Sequence, residues 1–244
     1  MTTMPWEQAP DGWRRPDDQV LSQALSQTLR ALSIGTEHPV EKRLLEYYDR
    51  ATDYAGADFT ELLPIADQDI TPTDLFAVSL LSMRFKASAT RRLLGHGGHR
   101  IDVLTKLRAL PDTELLVADP VALTAMDNFY VAVKSAVIDP NAKQSDPWVT
   151  ASKICARKRP ELFPVRDKQV RDYLGLTKFG DYQFDWLVYR HLLGCKEVID
   201  ALEAAASATR GLAGDRELQL DKSTLRVLDA ALWTHTVWYP DELN

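Results

Sequence analysis

The 244-residue sequence predicts an all-α fold, and three observations predict it. Apolar residues recur at spacings of three and four along most of the chain, helix-start residues (Ser, Thr, Asp, Pro) stand before those runs, and no segment reads as a convincing strand. The leader Met1 to Pro16 lacks periodicity and reads as an arm, loose or pinned by its indoles Trp6 and Trp13. Asp17 or Asp18 caps a first helix whose apolar positions are Val20, Leu21, Leu25, Leu29 and Leu32, closed by Gly35. Pro39 opens a second, with Leu44, Leu45, Tyr47 and Tyr48 on its apolar side and Gly56 beyond its end.

Thr71, Pro72 and Asp74 form a sharper start signal. Thr71 caps, Pro72 presets the first turn and Asp74 returns a bond to the cap residue. The helix from Leu75 to Met83 is apolar nearly all round and so belongs at the centre of the fold. Ala87 to Leu94 continues helically until the glycine turn Gly95 to His99. Further helices are expected at Asp102 to Leu110, Val121 to Val137, Trp148 to Ala156, Asp167 to Leu174, Tyr182 to Leu193, Glu197 to Thr209 and Thr224 to Thr236. Pro140, Asn141, Ser145, Asp146 and Pro147 mark a boundary. The expected organisation is an arm (1–16), an N-terminal helical lobe (17–140) and a C-terminal helical lobe (141–244), packing as one unit.

Apolar residues make up 45% of the chain and charged residues 26%, which excludes wholesale disorder. No run of about 18 apolar residues occurs and no secretory signal is read, so the expectation is a cytoplasmic protein that does not enter a membrane. Cys155 and Cys195 lie in helical segments without CxxC spacing and read as small core residues in a reducing compartment. A formal charge of −6 argues against indiscriminate binding to nucleic acid unless the basic residues are concentrated.

They are concentrated. Between Lys153 and Lys178 eight basic residues face three acidic ones, so this segment is near +5 and the remainder near −11. Arg157, Lys158, Arg159, Arg166, Lys168 and Arg171 are therefore candidate contacts for a nucleic-acid backbone, against the alternative of a solvated helix face. A second basic stretch (Arg84, Lys86, Arg91, Arg92, Arg100) has no acid within it. Asp167, at the mouth of a helix, is a cap on the structural reading. On the functional reading it is a carboxylate, held ionised by the helix dipole, that activates water or stabilises a sugar cation.

The run from Ser152 to Val170 (SKICARKRPELFPVRDKQV), with LRVLDAALW from Leu225 to Trp233, resembles an uncharacterised bacterial family of all-helical proteins. More remotely, the lysine-bearing helix, the Phe-Pro-Val turn and the aspartate resemble the catalytic neighbourhood of helix-hairpin-helix DNA glycosylases. That resemblance implies a two-lobed helical scaffold, DNA as partner and cleavage of N-glycosidic bonds. It casts Asp167 as the catalytic aspartate and Lys153 as an amine nucleophile. Ala142 to Lys153 contains no glycine, so a glycine-rich hairpin is not part of the expectation. Two cysteines cannot ligate an iron–sulfur cluster, and no cofactor is expected.

The remaining candidates read more simply. His96 and His99 flank two glycines without matching carboxylates or thiols, so no metal site is expected. His191 and His235 read as partly buried histidines. Tyr182, Phe184, Trp186 and Tyr189, and then Trp233, Trp238 and Tyr239, read as core, with stacking on an extruded base as the functional alternative. Asp127, Asp139, Asp200 and Asp229 show no spacing that pairs two carboxylates. Beside the nucleic-acid reading stands a non-catalytic interaction or structural protein.

Overall fold

The computed structural model describes residues 8–139, 147–216 and 218–238. Among the described residues there are twelve α-helices and no strand. In chain order they are α1 (Asp18–Ala31), α2 (Val40–Tyr48), α3 (Gly56–Phe59), α4 (Pro72–Leu80), α5 (Ala87–Leu94), α6 (Gly98–Arg108), α7 (Pro120–Val137), α8 (Trp148–Lys158), α9 (Lys168–Tyr173), α10 (Tyr182–Gly194), α11 (Lys196–Ala213) and α12 (Thr224–Trp238).

Local chemistry sets most of the starts. Asp17 accepts from Val20 N at 2.9 Å, Asp119 from Ala122 N at 2.7 Å and Asp181 from Gln183 N at 2.9 Å, each satisfying an amide that the first helical turn leaves without a partner. At α4 the box is complete in both directions: Asp74 N donates to Thr71 Oγ1 at 3.2 Å and Thr71 N donates to Asp74 Oδ2 at 2.9 Å. The helix expected to reach Met83 stops earlier, because α4 ends at Leu80 and Ser82 takes the left-handed region with φ 62°. The glycine turn is shorter than expected, since Gly98 and His99 already belong to the first turn of α6. The short α3 had no periodic signature in the sequence.

Two sets of helices share one hydrophobic core. In the first, α6 packs on α7, α7 on α8, α4 on α8, and α5 on both α6 and α7. In the second, α2 packs on α11 and α12, α1 on α10, α11 and α12, and α9 on α12. Packing does not follow chain order throughout: α1 and α2 lie with the C-terminal helices. The reason is the buried Arg43 of α2, which donates to Ala231 O at 2.7 Å and Thr234 Oγ1 at 2.8 Å on α12 and to Ala31 O at the end of α1. The expected boundary at residues 140–146 lies outside the described residues, as do Trp6 and Tyr239. Trp186 joins the two sets, with its ring 5.5 Å from Phe163 and 5.7 Å from Tyr130. Trp13 packs on it at 6.0 Å, so the described part of the arm is pinned by an indole. Tyr182, Phe184, Trp186 and Tyr189 pack with the core. Among the described residues no helix is long and apolar enough to cross a membrane.

Candidate functional site

A cavity of about 610 Å³ opens where the two sets of helices meet. One wall comes from the N-terminal helices: Tyr47 at the end of α2, Asp53 to Gly56, and Phe59 of α3. A second comes from the end of α4 (Leu80, Leu81) with Ser82, and from Lys153 on α8. A third is the entry to α9, Val165 and Asp167 to Val170. The fourth is Asp221 with Arg226, Asp229, Ala230, Trp233 and Val237 of α12. Gly56 permits the first wall to close, because a Cβ there would lie 2.4 Å from Tyr47 O and 2.5 Å from the Tyr47 ring. Such a volume, lined by aromatic and apolar groups with a few converging polar ones, is typical of small-molecule sites.

Lys153 and Asp167 face this same cavity. Lys153 is buried, and its Nζ donates to Leu81 O at 2.8 Å. That carbonyl stands immediately before the left-handed Ser82, so an uncommon backbone conformation holds the lysine's acceptor in place. Burial lowers the Lys153 pKa, and the Asp167 carboxylate opposes the fall. Asp167 is half-buried at the N-cap of α9, with Oδ1 accepting from Gln169 N at 2.8 Å and Val170 N at 3.4 Å. The cap reading is thus realised, and the same residue borders the cavity.

Three further carboxyls line the cavity that sequence spacing did not single out as a site: the exposed Asp53, the partly buried Asp221 and the buried Asp229. Asp221 accepts from Tyr48 Oη at 2.8 Å and from Thr60 Oγ1, and burial raises its pKa. Asp229 is 8% exposed, and its Oδ2 accepts from Val165 N at 3.0 Å and from Arg226. Its Oδ1 has no partner of hydrogen-bonding geometry, although the Tyr189 hydroxyl neighbours the carboxyl group. Burial pushes Asp229 up to about 6, against the pull of Arg226. Tyr47 is raised by burial and by the charge of Asp221. Its ring lies 5.7 Å from Trp233 and 6.2 Å from Tyr54, while Tyr54 is 4.8 Å from Trp238. The expectation that Trp233 and Trp238 serve packing holds only in part, since Trp233 also lines the cavity.

The basic segment is largely internal. Arg157 and Lys158 pair with Asp74 at 3.2 and 3.1 Å, and all three side chains are 1% exposed. Arg157 also donates to Phe59 O at 2.8 Å and to Leu62 O, and Lys158 to Ala66 O at 2.6 Å. Arg166 and Arg171 pair with buried Asp185 at 2.7 and 2.8 Å, with the Arg166 guanidinium 4.7 Å over the Trp148 ring. Two buried acids, Asp74 and Asp185, each pair with two of these four cations, so Arg157, Lys158, Arg166 and Arg171 are held inside the fold and are not presented as the expected backbone-contact surface. Arg159 is half-buried and donates to Asp67 O at 3.0 Å. Lys168 is exposed at the cavity, paired with Asp172 at 2.7 Å across one helical turn. In the second basic stretch, Arg92 donates to Ala136 O and Arg100 to Ile70 O and Leu93 O, while Arg84 is exposed.

Cys155 is buried, and burial raises its thiol pKa. Cys195 Sγ lies 3.5 Å from His191 Nε2, away from the cavity lining. His96 and His99 are exposed. Among the described residues no group of three or more His, Cys, Asp or Glu is placed to hold a metal ion.

No curated protein and no solved structure matches the chain. The family of unknown function DUF6308 matches residues 40–236, most of the chain, and the chain belongs to that family of uncharacterised, here all-helical, proteins.

Proposed function

We propose that the cavity is an N-glycosidase site that takes a nucleobase extruded from DNA, on a scaffold comparable to the two-lobed helix-hairpin-helix glycosylases. The observation that carries the reading is the convergence of Lys153 and Asp167 on one cavity walled by Tyr47, Tyr54 and Trp233. The aromatic walls suit a flat heterocycle, whose π-faces stack without regard to sequence. Breaking the bond between base and sugar places positive charge on the sugar, and a carboxylate at Asp167 stabilises that charge or orients the attacking water. Desolvation favours the neutral amine of Lys153, the form that attacks C1′ and forms an iminium later released by water. Lys168, exposed on the cavity rim, is a cation available for a phosphate contact there.

Borohydride trapping tests this directly. The protein is incubated with DNA duplexes carrying single damaged bases, reduced, and resolved by denaturing gel. A covalent adduct lost in Lys153→Gln, with base release lost in Asp167→Asn while binding persists, is the expected result. Release without an adduct assigns water as nucleophile. Absence of release over a panel of lesions refutes the glycosidase reading. A second reading, a protein-interaction role without nucleic acid, is favoured by the burial of Arg157, Lys158, Arg166 and Arg171. It predicts no salt-dependent change in the fluorescence anisotropy of labelled DNA.

A further inference from the structure

Four carboxyls line the cavity, yet none of them is arranged to protonate a ligand held inside it. Asp221 accepts from Tyr48 Oη and Thr60 Oγ1, one bond to each oxygen. Asp229 Oδ2 is taken by Val165 N and Arg226, and its Oδ1 is enclosed in the wall. Asp167 Oδ1 caps the amides of Gln169 and Val170, which favours the ionised carboxylate, and Asp53 is exposed to solvent. A neutral base leaves with an extra electron pair and needs a proton as it goes. A heterocycle that already carries positive charge is neutralised by that pair and needs none.

The aromatic wall has the complementary chemistry. Tyr47, Tyr54 and Trp233 line the cavity, with Tyr47 6.2 Å from Tyr54 and 5.7 Å from Trp233, tilted by 40° and 49°. Trp238 bridges Tyr54 and Trp233 at 4.8 and 6.5 Å, so the four rings close a circuit. Rings tilted this way form a curved wall and not a pair of parallel plates, and their electron-rich faces attract cations. Tyr47 and the stretch from Asp53 to Phe59 bring one acidic and no basic residue to the lining. Asp221 is tied to that wall through Tyr48 and Thr60, while Lys153 and Lys168 stand on other walls, on α8 and α9.

Resting on the glycosidase reading, we propose that the substrates are nitrogen heterocycles already positively charged, such as purines alkylated on the imidazole ring, held against the wall of Tyr47, Tyr54 and Trp233. In the step itself the bond from C1′ to the ring nitrogen breaks, and its electron pair neutralises the cationic ring. Water adds to C1′ and passes one proton to Asp167, which returns it to solvent. The products are the neutral heterocycle, the sugar hemiacetal and one proton, and no acid is consumed. Lys153 in place of water changes what the sugar is joined to and not what leaves.

Isothermal titration calorimetry at pH 6 compares 7-methylguanosine, a cation, with guanosine, its neutral parent. The expected result is that the methylated nucleoside binds about tenfold tighter or more, the size of a desolvated cation–π contact, and that Trp233→Phe keeps the preference while Trp233→Leu loses it. Equal affinity for the two nucleosides, or no binding of either, overturns the inference. So does a preference that survives Trp233→Leu. Should Trp233→Leu lose its cooperative melt, Tyr54→Leu replaces it, since Tyr54 is exposed on the cavity lining: a preference reduced about threefold or more is expected, and an unmoved one counts against the wall. Single-turnover release from duplexes bearing one 7-methyldeoxyguanosine or one deoxyinosine, each rate divided by its enzyme-free rate, separates the two readings. A larger enhancement for 7-methylguanine is expected. A larger enhancement for hypoxanthine overturns the cationic substrate and leaves the glycosidase standing. Selective binding of the methylated nucleoside with no base released from any duplex leaves the cation site standing and overturns the glycosidase.

Discussion

Replacing Asp74 by Ala removes a buried carboxylate that serves two roles. It accepts from Arg157 Nε and Lys158 Nζ at 3.2 and 3.1 Å and from Thr71 N at 2.9 Å. Loss of a capping partner costs about 1 kcal/mol. Loss of one member of a buried ion pair costs about 3–5 kcal/mol, because the partner charge is left desolvated. Lys158, whose pKa burial already lowers, can escape by shedding its proton. Arg157 cannot, so it carries most of the penalty. The combined loss of about 4–6 kcal/mol is a large share of a typical stability of about 5–15 kcal/mol. At this chain length it lowers Tm by about 10–20 °C. Urea denaturation followed by far-UV circular dichroism measures it, with Thr71→Ala, expected to lose only about 1 kcal/mol, as the reference. If Asp74→Ala costs no more than Thr71→Ala, the two cations have moved out to solvent and are not internal struts. The paired change Asp74→Leu with Arg157→Met should recover part of this loss, since it removes the one cation that cannot shed its proton and leaves Lys158 able to go neutral.

Burial and the nearby Arg43 and Arg30 hold His235 down at about 4, so the unfolded chain binds the extra proton between roughly pH 6.5 and 4. Stability from this group is present above pH 6.5 and is lost as pH falls, by about 3 kcal/mol in all; His235→Phe should remove that loss in melts compared at pH 7 and 4.5, and an undiminished acid loss refutes the account. Asp229, raised to about 6, acts with the opposite sign: its stabilising effect is full below about pH 4 and is lost as pH rises to 6, so Asp229→Asn should steepen the net acid destabilisation in the same melts. Gly56→Ala forces its new methyl against Tyr47 and should cost about 1–3 kcal/mol in urea denaturation; a neutral effect means α3 shifts freely. If DNA binds, Lys168→Glu should flatten the slope of log K against log salt by about one contact or more, whereas Arg171→Met, at a buried ion pair, should lower Tm and leave the slope alone.

Signals confined to a few neighbouring residues were legible in the sequence. The Thr71–Asp74 box, the Asp17 cap and the Asp167 cap each need only three or four residues, and all three form. The bounds Ala87–Leu94 follow for the same reason. The internal pairing of the basic segment was not legible, because Asp74 lies 83 residues before Arg157, and a count over a window attributes to the surface side chains that are buried against partners from elsewhere. Lys153 was singled out by resemblance and Asp167 by its place at a helix mouth as well, whereas Asp221 and Asp229 were not, since their place on the cavity wall depends on where α12 and the residues before it pack. The i, i+3 spacing of Arg226 and Asp229 was available as a hint of a paired, buried carboxylate.

The join between α2 and α12 has a consequence for how the protein comes into being. Arg43 finds its acceptors 188 and 191 residues later, and the fourth wall of the cavity is drawn from the same late helix. During synthesis, α2 leaves the ribosome long before the surface that covers it exists, with Arg43 and the apolar face of Leu44 and Tyr48 still wet. The cavity can therefore form only as one of the final events of folding, because contacts so distant along the chain close late. A nascent chain stalled before residue 224 carries Lys153 and Asp167 yet has no chamber for them. Competence at this site and completion of the fold arrive together.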